Sequence, residues 1–104
     1  MIRITEAESE VLAALWRRGP MSFAALIEEV KVAQSWGDAT IKTLLHRLIQ
    51  KDAVQSVRQD GRQLYHPRLD RRTYVLDQVQ ALADRLFAGD RAALLSAISE
   101  PPAI

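Results

Sequence analysis

The chain has 104 residues, 48% of them hydrophobic and 26% charged, which suits one globular domain with a modest core. No apolar run approaches the roughly 20 residues of a membrane span, and the residues after Met1 lack a signal peptide's apolar core, so we expect a cytoplasmic protein with no membrane partner. The absence of cysteine excludes disulfides, zinc fingers, iron–sulfur clusters and thiolate copper sites.

Positive charge is concentrated in the middle of the chain, although the net charge is only +1. Residues 38–72 carry eight Lys/Arg and four Asp, a net charge of +4. Residues 1–37 have a net charge of −1 and residues 73–104 one of −2. An excess of this size supports nucleic-acid binding only weakly by itself.

Three short helices are predicted before the chain becomes extended. Thr5 and Glu8 form a capping box that begins the first helix. Ser22 is a suitable cap for the second. Asp38 is predicted to cap the third, over residues 38–50, because its carboxylate lies at the positive end of the helix dipole.

The third helix has two different faces. An apolar stripe recurs at i, i+3, i+4, i+7 and i+8, and consists of Ile41, Leu44, Leu45, Leu48 and Ile49. The opposite face holds Ala39, Thr40, Lys42, Thr43, His46 and Arg47. Solvated helix faces usually mix Lys and Arg with acids, whereas short donors and cations suit a DNA major groove. This pattern favours a recognition helix.

Each of these polar side chains also has a plainer interpretation. Lys42 and Arg47 can be ordinary solvated charges, and the hydroxyls of Thr40 and Thr43 can bond the carbonyl four residues back. His46 can contact a phosphate or a base edge, but it is equally well interpreted as a partly exposed residue that only separates its neighbours. Elsewhere in the chain, His66, Trp16 and Trp36 are interpreted as structural, with backbone contact to DNA as the alternative for Trp36. The Arg71-Arg72 pair is interpreted as the start of a solvated helix.

A β-hairpin is predicted after the third helix. Residues 54–59 and 62–66 read as strands, and Asp60-Gly61 favours a two-residue type I′ turn, in which both positions need positive φ. Arg58 and Arg62 flank its tip. The expected contacts with the helices are Val54, Val57, Leu64 and Tyr65. Three helices followed by a cation-tipped hairpin is the layout of a winged helix-turn-helix.

The remainder of the chain is predicted to be helical. Asp70 begins one helix, Ala88-Gly89 ends it, and Asp90 begins a last helix that Pro101-Pro102 stop. Their apolar surface exceeds what two isolated helices can hide, and a second identical chain is favoured over the same domain as its cover. The expected dimerisation residues are Tyr74, Val75, Val79, Leu82, Leu86, Phe87, Leu94, Leu95 and Ile98.

The predicted fold class is mainly α with a small β-hairpin. It consists of a winged helix-turn-helix (three helices plus wing) DNA-binding domain over residues 1–67, followed by a C-terminal helical dimerisation region over residues 68–104. No Gly-rich phosphate loop, cysteine nucleophile or patterned Ser/His/Asp set occurs, so no enzymatic activity is expected. Two distant histidines without nearby carboxylates indicate no metal site, and no cofactor is expected.

Several motifs resemble the penicillinase-repressor (BlaI/MecI) family, which includes the copper-responsive CopY-type repressors. Residues 4–16 (ITEAESEVLAALW) look like its first-helix signature, and residues 40–48 (TIKTLLHRL) are similar to its recognition helix. The hairpin with Tyr65 and residues 86–90 (LFAGD) also match its layout. The resemblance implies a homodimeric winged-helix repressor that binds an inverted-repeat operator in double-stranded DNA and is released by a signal.

The resemblance also implies roles for individual residues. DNA contact is expected at Thr40, Lys42, Thr43 and Arg47, with His46 on the same face. Backbone contact is expected at Arg58 and Arg62 in the wing.

Three departures from the family pattern matter. Ala39 replaces a residue that is often Lys, which should weaken one phosphate contact. The family's Asn-Phe cleavage pair aligns with Ala97-Ile98, so induction by proteolysis is not expected, and the sequence identifies no upstream sensor or protease. The chain ends soon after this helix, so we expect a reduced dimerisation region, and without cysteine the copper-sensing tail is absent.

A protein-interaction module is the rival interpretation. Winged helices also dock on proteins, and the amphipathic segment from Tyr74 to Ile98 could bind a partner helix. DNA binding would depend strongly on salt and on the third helix, whereas partner capture would depend on residues 73–104.

Overall fold

The structure, a computed structural model, describes residues 3–99. Within that range the chain forms α1 (Glu6–Arg18), α2 (Phe23–Ala33), α3 (Asp38–Gln50), β1 (Val54–Gln59), β2 (Arg62–Pro67), α4 (Arg71–Phe87) and α5 (Arg91–Ser99). The elements group into two compact units, one up to Asp70 and the other from Arg71 onward. This order confirms the predicted fold class of helices with one small antiparallel hairpin. The roles predicted for residues 1–67 and 68–104 stay predictions.

Helix α1 begins at the predicted capping box. The Thr5 hydroxyl accepts from the Glu8 amide at 3.2 Å, and the Glu8 carboxylate accepts from the Thr5 amide at 2.8 Å. Gly19 ends the helix at φ 81°, where its amide donates to the Leu15 carbonyl at 2.8 Å. A positive φ is the reason that glycine suits this position.

The caps of α2 and α3 differ. The Ser22 hydroxyl accepts from the Ala25 amide at 3.2 Å, as predicted for the second helix. The prediction that Asp38 caps α3 was wrong, because the N-cap is Gly37 and it has no side-chain cap bond. Asp38 is already the first helical residue, and its carboxylate binds Lys31 of α2. An acid in the first turn still interacts favourably with the positive end of the helix dipole.

The first unit has a continuous apolar core. Helix α1 packs against α2 and α3, while β1 contacts α3 and β2 contacts α1 and α2. Its buried apolar side chains are Ile4, Val11, Leu12, Ala14, Leu15, Met21, Leu26, Val30, Ile41, Leu44, Leu45, Leu48, Ala53 and Val54. The predicted stripe of α3 is therefore its inner face, with only Ile49 half-buried.

The hairpin has the predicted two-residue turn. Its register runs from Val54 opposite Pro67 to Gln59 opposite Arg62. Asp60 at φ 52° and Gly61 at φ 76° both have the positive φ of a type I′ turn. The sequence pattern did not indicate that Met21 pairs with the outer edge of β2, through Tyr65, at 2.9 and 3.3 Å.

The register divides the four residues predicted to contact the helices between the two sides of the hairpin. Residues that face each other across an antiparallel pair lie on the same side of the sheet, and the side alternates along each strand. The register thus places Val54 and Tyr65 on one side and Val57 and Leu64 on the other. Val54 is buried and the other three are half-buried, and contact of all four with the helices stays a prediction.

The second unit is a pair of helices in contact, α4 and α5. Ala88 at φ 51° and Gly89 at φ 85° separate them, and the Asp90 carboxylate accepts from the Ala93 amide at 3.1 Å, as a cap does. The predicted stop at Pro101-Pro102 lies outside the described residues. No helix among residues 3–99 is long and apolar enough to cross a membrane.

Candidate nucleic-acid interface

The polar face of α3 is exposed. All five side chains predicted to contact DNA from this helix are exposed, namely Thr40, Lys42, Thr43, His46 and Arg47. Their apolar neighbours on the opposite face are buried, so packing of the core decides which side the helix presents. A shallow groove of about 340 Å³ on this surface is lined by Lys42, Thr43, His46, Arg47 and Gln50. We call these five residues the α3 groove.

Gln50 is the member of the α3 groove that sequence reasoning missed. It lies three residues after Arg47 and four after His46, which is the spacing of neighbours on one helix face. That spacing was the available signal. A side-chain amide both donates and accepts, and a glutamine can form two hydrogen bonds with an adenine edge.

The exposed face of α3 has one carboxylate, and that carboxylate is paired. Asp38 is the only acid among the exposed residues of the helix, and Lys31 of α2 binds it. Lys42, Arg47 and the donors around them therefore stand beside no unpaired anion of their own helix. The surface suits a polyanion better than a typical solvated helix does.

The Thr43 hydroxyl follows the plainer interpretation in the free chain. It donates to the Ala39 carbonyl four residues back, at 3.0 Å. Its proton is thus engaged, while its lone pairs remain available to accept a hydrogen bond.

The wing arginines lie near the tip of the hairpin and are both exposed. The register places Arg58 on the same side as Val54, whereas Arg62, opposite Gln59, lies on the other. The hairpin therefore presents one cation on each of its sides. Sequence reasoning located both residues but could not show that they diverge, because the side depends on register.

An ion pair with one buried and one half-buried partner lies at the far end of α3. Glu8 of α1 is fully buried, and its Oε1 accepts from Lys51 Nζ at 2.6 Å. Burial alone raises the pKa of this carboxyl, but the hydrogen bonds from Lys51 and Thr5 outweigh it and hold the pKa below its ordinary value of 4.5. The capping motif drew attention to Glu8, but no local pattern pointed to a partner 43 residues away.

The aromatic residues and His66 lie in packed positions. Trp16 is half-buried, and its ring N–H donates to the Leu69 carbonyl at 2.9 Å. Trp36 is half-buried beside the start of α1, where it lines a groove with Thr5, Glu6, Ala7, Glu10 and Gln34. His66 is half-buried, and its Nε2 has no hydrogen-bond partner within residues 3–99. That same part of the chain holds no cluster of three His, Asp or Glu side chains suited to a metal.

The predicted dimerisation residues differ in exposure. Leu94 is buried within the chain, at 5% exposed. The half-buried members are Tyr74, Val79, Leu82 and Phe87. The exposed ones are Val75, Leu86, Leu95 and Ile98, to which Leu76 should be added. We call these five exposed residues the tail patch.

The family follows from a comparison over nearly the whole chain. Residues 4–103 match the model of the family described as penicillinase repressor. The chain belongs to the penicillinase repressor family. It is similar to the penicillinase repressor of Bacillus licheniformis, with 28% identity over 87 residues, which are 84% of this chain and 68% of that protein.

Two further comparisons agree with this family. The methicillin resistance regulatory protein MecI of Staphylococcus aureus strain N315 is 35% identical over 51 residues, which are 49% of this chain and 42% of the relative. The solution structure of Bacillus licheniformis BlaI, as a monomer in complex with the blaP half-operator, matches with a TM-score of 0.64 at 31% identity. That match covers 71% of this chain and 92% of the other. The winged-helix fold is thus shared with a member of the same family.

Proposed function

We propose that this protein is a sequence-specific DNA-binding transcriptional repressor. The observation that carries the proposal is the exposed face of α3, where cations and short polar side chains surround the α3 groove and the one carboxylate is bound to Lys31. Family membership and the likeness to a BlaI that was solved with a half-operator support it. A role as a transcriptional regulator also argues against enzymatic activity.

In this proposal α3 enters the major groove. Arg47 reads a guanine edge through two hydrogen bonds, and Lys42 neutralises a phosphate. Thr43, whose proton is engaged by Ala39, accepts from a base amino group. Thr40 and His46 contact base edges or phosphates beside them.

The wing supplies backbone contacts. Because Arg58 and Arg62 lie on opposite sides of the hairpin, the tip meets the backbone edge-on, with one arginine directed to each side of it. Each neutralised phosphate contributes about −0.9 to the slope of log affinity against log salt.

We further propose that two chains bind an inverted repeat as a homodimer. The tail patch supports this, because large apolar side chains left exposed on two short helices favour burial against an identical surface. The two α3 helices would then lie about 34–36 Å apart, in successive major grooves.

Selection of bound duplexes from a random DNA pool, followed by anisotropy titration at two salt concentrations, tests the proposal. The expected result is an enriched inverted repeat with half-sites one helical turn apart. Lys42→Ala should weaken binding to every sequence and make the salt slope shallower by about 0.9. Arg47→Ala should lose about 1–3 kcal/mol, mostly at one base position.

The matched control is Arg91→Ala, which removes one exposed cation from α5. It should leave operator affinity close to that of the unaltered chain. Unchanged affinity of both the Lys42→Ala and Arg47→Ala variants would contradict the assignment of α3. An unenriched pool would favour a protein partner instead.

A further inference from the structure

The Glu8–Lys51 ion pair joins the start of α1 to the end of α3. Lys51 Nζ donates to Glu8 Oε1 at 2.6 Å and to the Arg3 carbonyl at 2.7 Å. The same Glu8 oxygen accepts from the Thr5 amide at 2.8 Å. One ammonium group thus binds two points around the beginning of α1.

Lys51 directly follows α3, the proposed recognition helix. It is the C-cap of α3, and its backbone amide donates to the Arg47 carbonyl at 3.0 Å. Arg47 precedes it by four residues, about 6 Å along the helix axis. The backbone of Lys51 is therefore hydrogen-bonded to the residue proposed to read a base.

Both α1 and α3 also contribute apolar side chains to the core. The two helices are in contact, and Leu12 and Leu15 of α1 and Leu48 of α3 are fully buried. Apolar burial is non-directional, so it does not by itself require one particular pair of polar atoms to meet. A charged hydrogen bond in a buried place depends steeply on distance, and the best-attested role of buried ion pairs is to define register.

We propose that Glu8 and Lys51 are positioning residues for DNA recognition, which set the register of α3 against α1. The pair places Arg47 and its neighbours where they meet base edges, and it contributes specificity rather than attraction to DNA. This inference rests on the proposed function and deepens it.

For the Glu8→Gln variant, simple electrostatics and loss of positioning predict opposite changes in DNA affinity. Glu8→Gln removes a negative charge and leaves the Lys51 cation unpaired, which by charge alone would tighten binding to any DNA. Loss of positioning predicts weaker binding to the selected operator. The direction of the change therefore separates the two explanations.

The sharpest test is the double variant Glu8→Met/Lys51→Met in the full chain. It keeps the net charge, and replacement of a buried pair by apolar side chains is often tolerated. Anisotropy titration compares the selected operator with a scrambled duplex of equal length. We expect the ratio of the two affinities to fall about tenfold or more, with scrambled-duplex binding unchanged.

The matched control is Arg17→Met/Glu29→Met, which removes a surface pair at 3.1 Å between α1 and α2, together with the Arg18–Glu29 pair at 3.8 Å, also without changing net charge. It should leave the affinity ratio unaltered. Circular dichroism melts show whether both variants are folded under the conditions in which their DNA affinities are compared. An unaltered ratio in the folded Glu8→Met/Lys51→Met variant would overturn the inference.

A measurement without DNA separates this inference from the proposed function. In NMR spectra of the free chain, Glu8→Gln should shift the amide signals of α3 as far back as Arg47 and speed their hydrogen exchange. Shifts confined to the immediate neighbours of Glu8 and Lys51 would refute the positioning role. A chain that selects no operator, yet shows the α3 shifts, would refute the proposed function alone.

Discussion

The two units of this chain differ in the exposure of their apolar residues, which are mostly buried in the first unit and often exposed in the second. Among residues 3–99, fourteen of the sixteen buried apolar side chains belong to the first unit, whereas the second buries only Ala83 and Leu94. Five of the six large apolar side chains that are exposed lie in the second unit. The first unit therefore has a core of its own, while the second has a surface that gains from a cover.

This comparison has a direct test in two leucine truncations. Leu12→Ala, at a fully buried site, should lower the free energy of unfolding by about 2–5 kcal/mol, because it removes apolar contacts and leaves a cavity. Leu95→Ala, at a site 61% exposed, should change it by less than about 0.5 kcal/mol. Urea denaturation of dilute, monomeric protein measures both. Equal losses would mean that the second unit has a core of its own.

The tail patch can be tested through self-association. The Leu86→Asp/Leu95→Asp variant should weaken dimerisation about tenfold or more, since each leucine buried at an interface contributes about 1.5–3 kcal/mol. Sedimentation equilibrium over a concentration series measures the effect. Val32→Asp, at an exposed apolar residue of the first unit, is the control and should leave association unchanged. An undiminished association constant in the tail variant would locate the interface elsewhere.

A smaller effect of pH is expected in the first unit alone. The pKa of Glu8 is lowered in the folded chain from its ordinary value of 4.5. The ionised carboxylate therefore stabilises the fold at pH values above that ordinary pKa. That contribution disappears as the pH falls through the lowered pKa. The stability difference between the unaltered chain and Glu8→Gln should therefore shrink on going from about pH 7 to about pH 3. A difference independent of pH in urea denaturation would contradict this.

Local patterns predicted much of this fold, and the failures have physical causes. The capping box at Thr5, the Asp60-Gly61 turn and the two faces of α3 depend on neighbours within a few residues, and the structure confirms them. Asp38 was misassigned because an acid at the first helical position resembles one at the cap. The Glu8–Lys51 pair depends on tertiary packing, which no local pattern contains.

Some features of the candidate site could likewise be predicted from the sequence, whereas others required the structure. Helical spacing was enough to group Lys42 and Arg47 on one exposed face, and it would also have found Gln50. The divergence of Arg58 and Arg62 required the strand register, and the pairing of Asp38 required the position of α2. The helix face on which a residue lies could be predicted from the sequence. Its partner on another helix or strand could not.

A small effect is also expected at the junction of α4 and α5. Ala88 has φ 51°, a left-handed conformation that strains a residue with a Cβ atom. Ala88→Gly should relieve this strain and stabilise the second unit by about 0.5–1 kcal/mol, after allowance for glycine's greater freedom when unfolded. Ala81→Gly, at an exposed position inside α4, should instead cost about 1 kcal/mol. Thermal melts that moved in the same direction for both variants would show that the junction is not strained, whereas opposite shifts would show that the positive φ of Ala88 costs this unit stability.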